Sequence, residues 1–182
     1  DAAGNASTPT ITEQIDSFLA SKTFAANDIA VVNGGISDLI ANMAAVNAGT
    51  MTTDQMVTAS RQAGTDLATQ VRRLVNAGAK YVMVTGTYDL SKTPWATEIG
   101  RTTVLNTASS AFNEGLLVGI VDLGSNVLYV DLAYYVNLYT SSPSAYGFEN
   151  ATKAVCTSVD ATDGIGIGAG KVNSALCTTS TL

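Results

Sequence analysis

The chain has 182 residues, of which 46% are hydrophobic and 13% are charged, and its formal net charge is −6. This length is typical of one domain with a substantial core, and high hydrophobicity with low charge excludes intrinsic disorder. The sequence contains no histidine, which excludes a His-based catalytic triad, a His metal site and a His general base within these residues.

Helical and strand-like apolar patterns alternate along the chain. Apolar residues spaced three or four apart indicate helices, and short continuous apolar runs bounded by turn residues indicate strands buried on both faces. In chain order these patterns predict a helix from Thr8-Pro9, a strand at 29–33, a short helix at 38–40, a helix at 53–76, a strand at 81–85, a helix at 96–121, a strand at 126–131 and a helix at 132–140. Residues 1–7 are small and polar, as in a tail or loop.

The spacing of the strands predicts the fold class. Helix-length segments separate consecutive strands, so the strands are parallel and joined by right-handed crossovers rather than hairpins. We therefore expect a single α/β domain over residues 1–182, a three-layer α/β/α sandwich around a parallel sheet that is incomplete at both ends. Residues 157–182 are expected to form an irregular C-terminal segment with one short element at 172–176.

The two cysteines, Cys156 and Cys177, enclose a segment rich in Gly, Ser and Thr that has little capacity to form a core. A disulfide that closes this loop would contribute about 3 kcal/mol through loop entropy, and the alternative is two buried free thiols. Low charge, abundant Ser and Thr and the absence of His favour a secreted protein in an oxidising setting, extracellular, periplasmic or at the cell surface. The first residues lack the basic start and apolar core of a signal peptide, so we expect a processed or trimmed chain.

The turn after the first strand is the most informative candidate site. Ligands bind beyond the carboxyl ends of strands in an open parallel sheet, and residues 33–38 read NGGISD there. Gly35 allows the backbone to approach a substrate closely, and Ser37 with the neighbouring amides can donate hydrogen bonds to an oxyanion. The alternative is a strand-to-helix turn with a serine cap.

Other polar features favour structural roles. Asp89 and Asp131 also follow strands, and in the absence of metal-ligand spacing they are expected to be helix caps or turn residues rather than paired catalytic carboxylates. The Gly-rich segment 164–171 has neither the dinucleotide-binding spacing nor the Ser or Thr that a phosphate loop needs after Lys171, so it predicts a flexible or disulfide-tied loop. We expect no cofactor and no metal.

Partners follow from charge and composition. An anionic chain without basic clusters is not expected to bind nucleic acid, and no apolar run approaches the roughly 20 residues of a membrane span. Aromatic residues between 134 and 148 form either a binding surface or, as we expect, the packing of a loop against the sheet edge. The sequons at Asn5 and Asn150 matter only for a protein made in a eukaryotic secretory route.

The order of several segments resembles the secreted bacterial GDSL, or SGNH, esterase and lipase family. Residues 31–38 (VVNGGISD) are similar to its third block, usually written G-G-x-N-D, and residues 8–16 to the helix before it. Further similar segments are 71–84, 112–116 and, most clearly, 137–156. The resemblance implies hydrolysis of carboxylic esters, with Gly35 and Ser37 as tentative oxyanion and substrate-binding residues and with Ser37 at the position of the usual Asn.

The chain also departs from that family. It contains neither the Gly-Asp-Ser turn of the nucleophile nor the Asp-x-x-His block. We therefore expect the core of an ester hydrolase whose catalytic Ser and His lie outside this chain, acting on ester or lipid substrates and associating with its own missing segments. The alternative is a non-catalytic extracellular relative used for binding or self-assembly, since unpaired sheet edges favour self-association.

Overall fold

A computed structural model describes residues 8–162 and 166–182 of the chain. Within these ranges the chain forms α1 (Ile11–Ser21), β1 (Ile29–Asn33), α2 (Ile36–Asn47), α3 (Thr53–Asn76), β2 (Tyr81–Thr85), α4 (Pro94–Glu98), α5 (Thr102–Ile120), β3 (Val127–Val130) and α6 (Leu132–Ser141). Short 3-10 turns occur at Leu90–Lys92, Val121–Asn126, Pro143–Tyr146 and Ser174–Leu176. The tail predicted at residues 1–7 lies outside the described residues.

The three strands form one parallel sheet in the order β1-β2-β3. Val31 of β1 is in register with Met83 of β2, which in turn is in register with Leu128 of β3. The predicted α/β class with a parallel sheet is therefore confirmed.

One face of the sheet packs into the hydrophobic core with α3 and α5. Val32, Val82 and Val84 point to this face and are buried, and they join a cluster that includes Phe112 and Leu116 of α5. On this face of the sheet, α3 and α5 pack against each other along much of their length. The apolar side chains that recur at helical spacing in each of them lie at this contact.

The opposite face of the sheet is open, which corrects the prediction of strands buried on both faces. Ile29, Val31 and Leu128 are 66%, 64% and 62% exposed, and Tyr81 is 52% exposed. Because successive strands are added in one direction, right-handed crossovers place their connecting helices on the same face. The apolar side chains of the second face are therefore left without a helix layer from these crossovers.

Helix bounds differ from the sequence prediction where capping or a glycine decides them. The first helix begins at Ile11 rather than at Thr8-Pro9, because Thr10 and Glu13 form a reciprocal capping box: the Glu13 amide donates to Thr10 Oγ1 at 3.2 Å, and the Thr10 amide donates to Glu13 Oε2 at 2.7 Å. The predicted helix at 96–121 is two helices, because Gly100 lies in the left-handed region at φ 65° between them.

One other helix differs from its predicted bounds, whereas the bounds of other elements match the prediction. The short helix predicted at 38–40 is the twelve-residue helix α2, which starts directly after the glycines of the β1–α2 turn. The predicted bounds of α3 and β2 are confirmed, and α3 has Thr52 as its N-cap residue. None of the helices in the described part of the chain combines the length and hydropathy needed to cross a membrane.

The C-terminal segment is tied to the domain by a disulfide and by contacts with α4. Cys156 and Cys177 are bonded, with Cα atoms 5.9 Å apart, which confirms the predicted pairing. The indole N–H of Trp95 donates to the carbonyl oxygen of Ile167 at 2.9 Å, and Lys171 Nζ lies 2.8 Å from Glu98 Oε1. This segment therefore folds back on α4, with the 3-10 turn Ser174–Leu176 as its short element.

Candidate functional site

A cavity of about 570 Å³ opens at the carboxyl end of β1. The β1–α2 turn forms one side of it with Gly34, Gly35 and Ser37, and α1 and α3 form the others. The two residues that the sequence singled out thus lie together in the wall of a cavity, at the end of a parallel strand where ligands bind in such sheets.

Two glycines give the turn its shape. Gly35 is the N-cap residue of α2 at φ 107°, and a Cβ built on it would lie 2.6 Å from Cε2 of the buried Phe112 ring. A side chain at position 35 is therefore excluded both by the left-handed backbone and by the ring behind it. Phe112 thus supports the turn, a role that no local sequence signal revealed.

The start of α2 presents free amide donors at the cavity wall. The first main-chain bond of this helix runs from the Leu39 amide to the Gly35 carbonyl oxygen at 3.1 Å. The amides of Ile36 and Ser37 precede that bond and have no main-chain acceptor within the helix, whereas the Asp38 amide donates to its own carboxyl group. Such donors, with the positive end of the helix dipole, stabilise negative charge that develops nearby.

Ser37 is the second residue of α2 and is half-buried. Because Gly35 is the N-cap residue and no side chain caps α2, the interpretation of Ser37 as a helix cap is wrong. Its hydroxyl makes no hydrogen bond to another residue in the described part of the chain. Ser37 is thus available as a donor in the cavity.

The charge of the cavity is negative. Asp38 and Asp66 line it, and no Lys or Arg does so among the described residues. Partial desolvation raises the pKa of Asp38, although its carboxyl group still contacts solvent, and a hydrogen bond to its own amide opposes this shift. A bound anion such as phosphate would be repelled here, whereas a ligand that is neutral when it binds would not be.

The carboxyl end of β2 carries a polar network that sequence reasoning missed. The Thr87 amide donates to Asn113 Oδ1 at 2.9 Å, and Asn113 Nδ2 donates to the Thr87 carbonyl oxygen at 2.8 Å. Burial raises the pKa of the nearby Tyr129 to about 12. These two hydrogen bonds fix α5 against the segment that follows β2. Phe112, the neighbour of Asn113 on α5, packs against the turn at Gly35.

Asp89 and Asp131 are capping residues, as predicted. Asp89 Oδ1 accepts from the Ser91 amide at 2.9 Å, and Asp131 Oδ1 accepts from the Tyr134 amide at 2.9 Å. The second oxygen of Asp89 accepts from Asn106 Nδ2 at 2.9 Å. Both carboxylates therefore act as acceptors that cap the turn or helix that follows them.

None of the described residues among the remaining candidates lines the cavity. Part of the Gly-rich segment 164–171 lies outside the described residues, and the Lys171 ammonium at its end pairs with Glu98. The rings of Tyr139 and Tyr146 pack edge to face at 5.0 Å and stay partly exposed. The first sequon, at Asn5, lies outside the described residues, while Asn150 of the second is exposed.

No protein-family model matches the sequence, and no curated protein matches it significantly. The functional assignment therefore depends on the fold and on the geometry and charge of the cavity.

Proposed function

We propose that the chain is the core of a secreted GDSL-type serine ester hydrolase, a carboxylesterase or lipase, whose catalytic serine and histidine are supplied by polypeptide outside these 182 residues. The observation that carries this proposal is the β1–α2 turn. Its glycines leave the backbone open to a substrate carbonyl, and Ser37 adds a hydroxyl beside the amide donors of α2.

The turn acts on the charge that forms during acyl transfer. When a nucleophile attacks an ester carbonyl, the oxygen becomes an oxyanion, and fixed donors 2.7–3.1 Å from it lower the barrier. The Ser37 hydroxyl and the first amides of α2 supply such donors from one rigid strand-to-helix turn. A hydroxyl that rotates holds the oxyanion less firmly than the planar amide that the family usually has at this position.

The rest of the cavity fits a neutral ester. Leu67, Ala63 and Phe112 provide apolar wall for an acyl or alkyl group. The carboxylates of Asp38 and Asp66 disfavour anionic ligands, so uncharged carboxylic esters are preferred to phosphate esters.

The proposal is tested by variants of Ser37 in the natural full-length polypeptide. Removal of one oxyanion donor lowers kcat by roughly 100-fold or more in serine hydrolases, so we expect Ser37→Ala to lower the turnover of p-nitrophenyl butyrate by about that factor. Ser37→Asn should preserve or raise turnover, because an amide donor replaces the hydroxyl. Ser110→Ala, on the exposed side of α5, is the matched control and should leave turnover unchanged.

Two results would contradict the proposal. One is full turnover in Ser37→Ala, which would remove Ser37 from the oxyanion site. The other is a natural full-length protein in which no serine reacts with an alkyl phosphonate. The second result would favour the alternative, a non-catalytic extracellular protein used for binding or self-association, which the open apolar face of the sheet supports.

A further inference from the structure

One face of α3 forms a wall of the cavity at the carboxyl end of β1. The residues of this helix that line the cavity are Ala63, Asp66, Leu67 and Gln70. Their three- and four-residue spacing places them on one face of the helix. Ala63 and Leu67 make part of the wall apolar, whereas the side chains of the other two make the rest polar. The wall therefore suits a ligand that has an apolar and a polar part.

Two amide side chains on the other walls of the cavity present oxygen acceptors. Gln14 of α1 and Asn33 of β1 both line it. Gln14 Nε2 donates to the Pro9 carbonyl oxygen at 3.0 Å, and Asn33 Nδ2 donates to the Thr85 hydroxyl group. These bonds orient the two amide groups, and neither side-chain oxygen accepts a hydrogen bond from another residue in the described ranges. Both oxygens are therefore acceptors that a ligand can use.

The polar side chains of α3 complete the set. Asp66 Oδ1 accepts from Gln62 Nε2 at 2.9 Å, which leaves Oδ2 of the same carboxylate as an acceptor. Gln70 Oε1 accepts from Arg73 Nη1 at 2.7 Å, which leaves the amino group of Gln70 as a donor. Together with the two amide oxygens, these side chains offer three acceptors and one donor group. Several hydroxyl groups complement such a set, because each hydroxyl donates one hydrogen bond and also accepts.

We propose that the cavity binds carboxylic esters whose alcohol part is a neutral polyol, such as an acylated sugar. This inference rests on the proposed function, since it names the substrate class of the same site. The hydroxyl groups of the polyol donate to the side-chain oxygens of Gln14, Asn33 and Asp66, and one of them accepts from Gln70. The acyl chain packs on Leu67 and Ala63.

Other ester ligands complement the cavity less well. Phosphate and carboxylate groups only accept hydrogen bonds, and the carboxylates of Asp38 and Asp66 repel them. A triacylglycerol has no hydroxyl donor and leaves the side-chain oxygens without partners. An alkylammonium group supplies donors from a single nitrogen atom, whereas the acceptors of the cavity come from α1, β1 and α3.

The test measures binding of butyl β-D-glucoside to the folded 182-residue chain by NMR. This probe has a neutral polyol and an apolar chain but no ester bond. We expect saturable shifts of the Gly34 and Gly35 amide signals. Butyl β-D-glucuronide adds a carboxylate, butyl methyl ether lacks the hydroxyl groups and butylamine replaces them with an ammonium group. Each of these three should bind at least tenfold more weakly than the glucoside.

Binding of the glucoside needs neither a catalytic serine nor a histidine. It can therefore fail while the natural full-length polypeptide still hydrolyses p-nitrophenyl butyrate, and it can succeed in a chain that hydrolyses nothing. The failure of this inference and the failure of the proposed function are thus distinguishable.

Variants of α3 locate the polyol. Gln70→Ala removes one hydrogen-bond donor and should weaken binding of the glucoside about fivefold. Asp66→Asn keeps an acceptor oxygen but removes the charge, so the difference in affinity between glucoside and glucuronide should become smaller. Thr69→Ala is the matched control, because Thr69 is exposed on the same helix and does not line the cavity, and it should not alter binding.

Three outcomes would overturn the proposal. The first is the absence of saturable binding of butyl β-D-glucoside. The second is binding of butyl methyl ether or butylamine as tight as that of the glucoside, which would show that the apolar wall or the negative charge alone selects the ligand. The third is unchanged affinity for the glucoside in Gln70→Ala, which would remove the polyol from the α3 wall.

Discussion

Replacement of Gly64 by alanine is expected to destabilise the domain, because α3 and α5 touch through their backbones at this point. A Cβ at position 64 would lie 2.9 Å from the Leu116 amide nitrogen and from the Phe112 carbonyl carbon, and closer still to the Phe112 carbonyl oxygen. Ordinary contacts of a Cβ are 3.4–4 Å. The two helices must therefore move apart, since neither backbone atom has a rotamer into which it can retreat.

The expected magnitude follows from two opposing effects. Overpacking of a tight core costs about 1–3 kcal/mol, and contact between two backbones belongs at the upper end of that range. Alanine gains about 1 kcal/mol over glycine in helix propensity, which offsets part of the cost. We expect a net loss of about 2 kcal/mol in the free energy of unfolding, or a Tm lower by roughly 4–8 °C for a domain of this size.

Urea unfolding followed by circular dichroism measures this loss from the midpoint and slope. Thr69→Ala is the matched control, since Thr69 is exposed on the same helix and alanine there changes propensity without crowding. Gly64→Val should destabilise more than Gly64→Ala, because a larger side chain drives the helices further apart. A Gly64→Ala protein as stable as the wild type would refute the backbone contact between α3 and α5.

Three other predictions concern chemistry, the disulfide and pH. The purified 182-residue chain should not hydrolyse p-nitrophenyl butyrate by a serine mechanism, since no histidine activates a nucleophile, and phosphonate-sensitive turnover would contradict this. Reduction of the Cys156–Cys177 disulfide should speed proteolysis within residues 157–182, because the bond closes only that loop, and α3 should keep its protection from hydrogen exchange. Peptide maps that are identical with and without reduction would exclude the bond. The pKa of Asp38 is raised in the folded protein, so its carboxyl group lowers stability as pH rises through that pKa. Asp38→Asn should therefore be more stable than the wild type in urea unfolding at pH 7. This difference in stability should disappear below the ordinary pKa of 3.8, where the carboxyl group is protonated in both states. An equal difference in stability at pH 7 and below pH 3.8 would show that the charge of Asp38 is not its cause.

Some elements could be predicted because their signals are local. α3 has its cap at Thr52 and an apolar stripe that repeats at helical spacing, and both signals act over a few residues. The strands β1 and β2 are short apolar runs between turn residues, and helix-length connections imply that they are parallel. The turn at Gly35 and Ser37 could also be placed from the sequence, since it follows the carboxyl end of a strand.

Other features depend on residues far apart in the chain. The role of Gly35 becomes clear only when Phe112 packs behind it, and the negative wall of the cavity needs Asp66 of α3 beside Asp38. The open face of the sheet at Val31 could not be inferred from an apolar run, since such a run looks the same whether one face or both are covered. Local sequence patterns determine which segments become helices and strands, whereas burial, the shape of the cavity and its charge arise from contacts between segments, which only the tertiary structure brings together.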